Sequence, residues 1–217
     1  MTQTRKIILG AIIGVLVIIS AATYLYIENK NAKQERLEIW QSQKDFETLL
    51  NAFILDIDAQ AKAYKKQRRV VAELIQIDNL RDPAYVSENY TMMVSTIVQM
   101  RQNSQSILRE FEIMDTNVKA LIERAHLQDK ATIIDAWSQT KDEQFKFYAR
   151  FFKTEDRILQ IYETLMQFYS RNTDHFSVDL STQSIIFTKP VLKARHDSLL
   201  AILSKEKAKQ NTILKMP

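Results

Sequence analysis

Few residues in this chain are spaced for chemistry, and each pattern specifies which chemistry it would serve. Glu123 and His126 form one ExxH step. On a helix that step places a carboxylate and an imidazole one turn apart, the element from which di-iron bundles are built. Such a centre needs a second ExxH and two further inward glutamates, and the sequence holds no second copy. His175 and His196 fall at no metal-binding spacing. Asp56 and Asp58 are paired acids, but they flank an apolar helical seam and read as solvated or capping charges. Cysteine is absent, which removes disulfides, thiolate metal sites, a catalytic thiol and lipid attachment at an N-terminal cysteine. The two glycines, Gly10 and Gly14, both lie in the first fifteen residues. No GxSxG, Walker or dinucleotide fingerprint can therefore form beyond them. The expectation is a non-enzymatic protein with no metal, no cofactor and no small-molecule substrate.

Lys65, Lys66, Arg68 and Arg69 make the one dense basic cluster, a solvated face or a contact for an acidic partner. The formal charge is +4, but with Arg5 and Lys6 set aside 28 basic residues face 26 acidic ones. That balance gives nucleic-acid binding no support.

The elements that would position these groups are helices. Without glycine for αL caps, hairpin turns and phosphate loops, a β-rich or α/β domain is improbable over the last two hundred residues. Long helices need few such positions, so the fold class is all-α. The best-patterned stretch is Val86–Ala125, where Val86, Tyr90, Met93, Ile97, Met100, Ser104, Ile107, Phe111, Met114, Val118, Leu121 and Ala125 recur at alternating steps of four and three. That is the seam of a helix packed against other long helices. Its one polar member, Ser104, makes room for a large aromatic, Phe151, on the third rod. A break at Asn79–Pro83 offers Asp82 as a cap and Pro83 at the first helical position. The spacing predicts helices over about 28–79, 83–126, 129–172 and 190–209. Asp129 caps the third, whose seam runs Ile134, Trp137, Tyr148, Phe151, Ile158, Tyr162, Leu165 and Tyr169. The fourth carries Leu192, Leu199, Leu200 and Leu203 on one side. A connector with one β-like patch fills 173–189, and 210–217 reads as a frayed tail.

Residues 7–27 are a run of 21 without a charge. At about 1.5 Å per residue they span roughly 31 Å, the thickness of a bilayer core. Tyr24 and Tyr26 suit one interface, and Arg5 and Lys6 flank the other. The reading is an uncleaved single-pass anchor with residues 1–6 as a cytoplasmic tail; the competing one is a signal peptide cut after Ala22. Gly10 and Gly14 form a GxxxG pair, a candidate for transmembrane helix dimerisation. From the anchor, the basic cluster at 65–69 stands roughly 55 Å out, far beyond the Debye length of about 8 Å. Binding to the same membrane is disfavoured.

Together these readings give a transmembrane helix followed by an elongated antiparallel bundle of three long helices plus a shorter fourth. The fourth covers half the bundle, which leaves a groove at the other half. Trp40, Ile122, Leu127, Ile133 and Trp137 fall there as a candidate partner groove; the competing reading buries them in plain three-helix packing. The location is the inner (cytoplasmic) membrane, with the bulk of the chain extracytoplasmic or periplasmic. The leading function is an envelope interaction or scaffold component, with a protein partner or a second copy. The alternative is a ligand-sensing bundle that signals through a partner protein. It resembles the periplasmic helical domains of bacterial chemoreceptors in architecture alone, and here lacks their second span and output domain.

Overall fold

The computed structural model describes residues 33–125 and 129–215. The anchor segment with Gly10 and Gly14, and the turn residues His126 and Leu127, lie outside the described residues. The architecture is an all-helical bundle. Helix α1 runs Lys33–Leu74, α2 Pro83–Arg124 and α3 Lys130–Arg171, each of 42 residues. A 3-10 turn, Ile77–Leu80, joins α1 to α2. After α3 come a second 3-10 turn, Thr173–His175, and an antiparallel hairpin of β1 (Phe176–Asp179) and β2 (Ser184–Phe187). Helix α4 closes the chain over Pro190–Lys215. Among the described residues no helix is long and apolar enough to cross a membrane.

Both internal prolines open helices, as their missing N–H allows. Asp82 caps α2: its Oδ1 accepts from the Ala84 amide at 2.9 Å and its carbonyl from Val86 at 3.0 Å. Helix α1 stops five residues before the expected Asn79, because Leu80 turns inward to 2 % exposure and Asn79 Nδ2 bonds the Glu73 carbonyl at 2.7 Å. The chain has no glycine here, so other residues take the left-handed positions. Asp129 does so at φ 56° before α3, and Gln183 at φ 51° in the hairpin turn. Asp129 also accepts weakly from the Thr132 amide, at 3.4 Å.

The hairpin forms despite the lack of glycine. Asp179 takes the turn's donors: Oδ1 accepts from the Ser181 amide at 2.9 Å and from its hydroxyl at 2.6 Å, and Oδ2 from the Thr182 hydroxyl at 2.7 Å. Those bonds draw its carboxyl down to about 2. The glycine count thus fixed the class of the fold but did not exclude a short hairpin in residues 173–189.

The chain divides into two compact units. One gathers the described residues up to Ala61 with those of Ser106–Tyr148, and so contains segments of α1, α2 and α3. Its core is Phe46, Leu50, Met114, Val118, Ile122, Ile133 and Trp137, with Leu49, Phe53, Leu121 and Ile134 at the edge. Phe111 lies edge-on to Phe53 at 5.3 Å. Early α1 residues thus meet late α2 residues, and the two segments run antiparallel.

The second unit holds Lys62–Gln105 and Ala149–Met216, adding the hairpin and α4 to the three long helices. Its seam on α3 is Phe152, Glu155, Leu159, Tyr162, Met166 and Tyr169 at steps of three and four, with Ile158 and Leu165 buried beside it. Phe152 rather than Phe151 faces inward, and in the first unit Ile133 rather than Ile134 is the buried one. Ser104 is half-buried and returns its hydroxyl to the Arg101 carbonyl at 2.8 Å. Helix α4 does not fray at 209. Its buried stripe continues through Gln210, which is 2 % exposed.

Candidate functional site

Glu155 stands in the middle of the α3 seam with no solvent exposure. A carboxylate there is costly unless its oxygens are matched. Helix α1 supplies Arg68, whose Nε lies 2.7 Å from Glu155 Oε1, as an ion pair rather than a directed hydrogen bond. Helix α4 supplies Gln210, whose Nε2 donates to Glu155 Oε2 and whose Oε1 accepts from Arg68 at 2.6 Å. Three helices are joined by one closed triangle of polar groups. Tyr64, one turn before Arg68, packs its ring edge-on against Phe152 at 5.4 Å. Burial, and then the negative charge of Glu155, push its hydroxyl well above the usual tyrosine range.

The rest of α4 is docked by similar means. Its buried residues are His196, Leu203, Glu206 and Gln210, three of the four polar, and Leu192 and Leu199 lie half-buried on the same stripe. His196 Nε2 lies 2.9 Å from the Tyr169 hydroxyl, and the rings of Phe168, Tyr169 and Phe187 surround the imidazole at 5.1–6.5 Å. Lys207 sits over the Tyr162 ring at 5.2 Å. Leu200, expected on the docked face, is 41 % exposed. Its Cβ points one residue off the 192–196–199–203 stripe.

The first unit contains a smaller polar centre. Trp137 donates its Nε1 proton to Asp115 Oδ1 at 2.9 Å, while Lys119 bonds Oδ2 at 2.8 Å. Asp115 is thereby matched on both oxygens at 18 % exposure of its side chain. It fixes the indole rather than offering a reactive group.

The residues singled out from sequence separate accordingly. Ile122, Ile133 and Trp137 are core residues at 3–7 % exposure. Packing of three helices around one core takes them inward. Trp40 is 56 % exposed, with Lys44 Nζ 5.2 Å from its ring centre. The basic cluster divides as well. Arg68 turns inward to Glu155, Arg69 pairs along the helix with Glu73 at 2.7 Å, and Lys65 and Lys66 face solvent. Arg68 is thus a structural cation, because a guanidinium can reach a seam position while keeping its stem at the edge.

Sequence reasoning missed Glu155, Gln210 and His196. A signal was present: the four–three steps of α3 and α4 run through them without a break. Counting only apolar residues hides it. Among the described residues no cluster of three or more His, Asp or Glu could hold a metal ion. The carboxylate of Glu155 is enclosed, with Oε2 hydrogen-bonded by Gln210 and Oε1 in an ion pair with Arg68, so the triad ties three helices together. No protein-family model, curated protein or solved structure matches this chain.

Proposed function

We propose that the protein is a single-pass component of the inner membrane whose helical bundle lies on the extracytoplasmic side and docks another envelope protein or a second copy of itself. The observation that carries this reading is the uncharged run of 21 residues at 7–27, which precedes α1 in the sequence. Such a run spans a bilayer core. The non-enzymatic half of the reading draws support from the way the internal polar groups are used. Arg68, Glu155, Gln210 and Asp115 pair with one another or with Trp137 and Lys119, as groups that hold helices do. The docking surface is assigned to Trp40, which is large, exposed and at the end of α1 nearest the anchor in sequence.

The absence of cysteine gives a clean test. A single cysteine at position 40 should react with a membrane-impermeant maleimide in intact spheroplasts, and the protein should stay in the membrane after alkaline extraction. Release by alkali removes the anchor; labelling only after lysis reverses the orientation. A photo-crosslinking residue at position 40 should capture one protein reproducibly, and no adduct there would remove Trp40 as the docking point.

A further inference from the structure

Helix α4 docks through a narrow stripe, so most of its circumference faces solvent. One side of it carries Val191, Arg195, Ser198, Ile202, Lys205 and Lys209 at steps of four and three, all of them exposed. Residues so spaced share one face of a helix. Val191 is 70 % exposed and Ile202 46 %, so branched apolar side chains alternate there with cations. Ala194, Ala201 and Ala208, also exposed, widen the face without adding bulk. From 191 to 209 the face runs roughly 27 Å, at about 1.5 Å per residue.

No acid interrupts it. The two acids of α4 lie to either side and are engaged, Asp197 with Lys193 at 2.6 Å and Glu206 with Lys209. The Lys209 hydrogen bond first, and then the charges of Lys209, Arg157 and Lys205, outweigh burial and hold the Glu206 carboxyl below its usual range. Arg195 and Lys205 have no ion-pair partner among the described residues. The bond from Arg68 to Gln210 sets α1 beside the far end of α4, where exposed Lys65 stands one turn before Arg68. At the near end Phe187 of β2 packs on His196, ring centres 5.1 Å apart, and the adjoining Ile186 is exposed. The unit as a whole leans the same way. Among the described residues it carries 18 lysines and arginines against 11 acids, whereas the first unit carries 9 against 14.

We propose that this face of α4 binds an anionic phospholipid bilayer. Arg195, Lys205 and Lys209 meet the headgroup phosphates, and Val191 and Ile202 rest at the boundary between headgroups and acyl chains. The long basic side chains reach the phosphates while their stems lie along the apolar layer. The exposed aliphatic residues between the cations favour a bilayer over a soluble polyanion, which has no apolar layer to receive them. No aromatic ring stands on the stripe to stack a nucleic-acid base. This contact is independent of the docking point at Trp40.

The test holds the full chain in phosphatidylcholine nanodiscs, mixes it with separate vesicles and reads co-flotation on a density gradient. Flotation with vesicles containing phosphatidylglycerol is expected, falling as salt rises, with none on phosphatidylcholine alone. Arg195→Gln and Lys205→Gln should each weaken binding about fivefold, and the pair about 30-fold. Ile202→Ser should weaken it several-fold while leaving the salt dependence intact. All three positions are exposed, so an unchanged helix signal at 222 nm accompanies the loss. Equal flotation with phosphatidylcholine vesicles, or an unaffected Arg195→Gln/Lys205→Gln pair, would overturn the headgroup contact. An unaffected Ile202→Ser would overturn the apolar contact. Polyglutamate that binds as tightly as the anionic vesicles would give the face to an acidic polymer instead, and no flotation at low salt would overturn the proposal outright.

Discussion

Replacing Arg68 with methionine keeps the apolar stem but removes the cation paired with Glu155. Glu155 has no exposure and cannot regain water without opening the helices. Breaking a buried pair in this way costs about 3–5 kcal/mol. The Arg68 side chain is 39 % exposed, so solvent already screens its end of the pair, and the lower figure of about 3 kcal/mol applies. For a chain of this size that corresponds to a fall in Tm of about 6–12 °C. It also corresponds to amide exchange about 100-fold faster in α4. Thermal unfolding at 222 nm and exchange of the amides around Leu203–Gln210 measure the two quantities. The informative comparison is the triple variant Arg68→Met, Glu155→Leu, Gln210→Leu. With no charge left to strand, its stability should lie within about 1 kcal/mol of the parent, while α4 loses the bonds that fix its register. A neutral Arg68→Met, or a triple variant worse than the single one, would refute the account of Glu155 as a carboxylate dependent on its partners.

Two further outcomes follow from the geometry. Trp137→Phe should cost about 1.5–3 kcal/mol, since it removes the donor to ionised Asp115 from a 7 % exposed site; Trp40→Phe, at 56 % exposure, should change stability by less than about 0.5 kcal/mol. Denaturant midpoints separate the two. Tyr64, Tyr148 and Tyr169 are each pushed above the ordinary tyrosine value of 10.0, first of all by burial. A raised acid favours its protonated form in the folded state, so this stability is complete below pH 10 and declines as the pH rises beyond it. Phenolate absorbance should therefore appear for these tyrosines together with loss of helix, and ionisation near pH 10 without unfolding would contradict their burial.

The sequence made the long helices legible because their apolar seams, the Asp82–Pro83 break and the absence of glycine all point one way. Val86, Met93, Ile97 and Met100 are all at 0 % exposure, where the four–three spacing puts them. The buried charge was not legible, because a glutamate or glutamine on a seam looks like an error in the pattern until its partner is known. The partners of Glu155 sit 87 positions before and 55 after it, and no local signal connects them. The basic cluster misled for the same reason. Arg68 differs from Lys65 and Lys66 in which way the helix turns it and in carrying a guanidinium. The hairpin was half-legible: its β-branched and aromatic residues stood out, but its turn is made by Asp179 and Gln183 rather than by glycine.

The bond between Arg68 and Gln210 spans 142 residues. A chain delivered from its N-terminus therefore presents Arg68 and Glu155 well before Gln210 exists to join them. Until α4 has emerged, Tyr162 lacks Lys207, Tyr169 lacks His196, and the carboxylate of Glu155 is half-matched. Closure of this unit is a late, long-range event, and the incomplete chain exposes apolar surface during that interval. A truncation ahead of Gln210 would hold the protein in that vulnerable state, in which chaperones and proteases meet it.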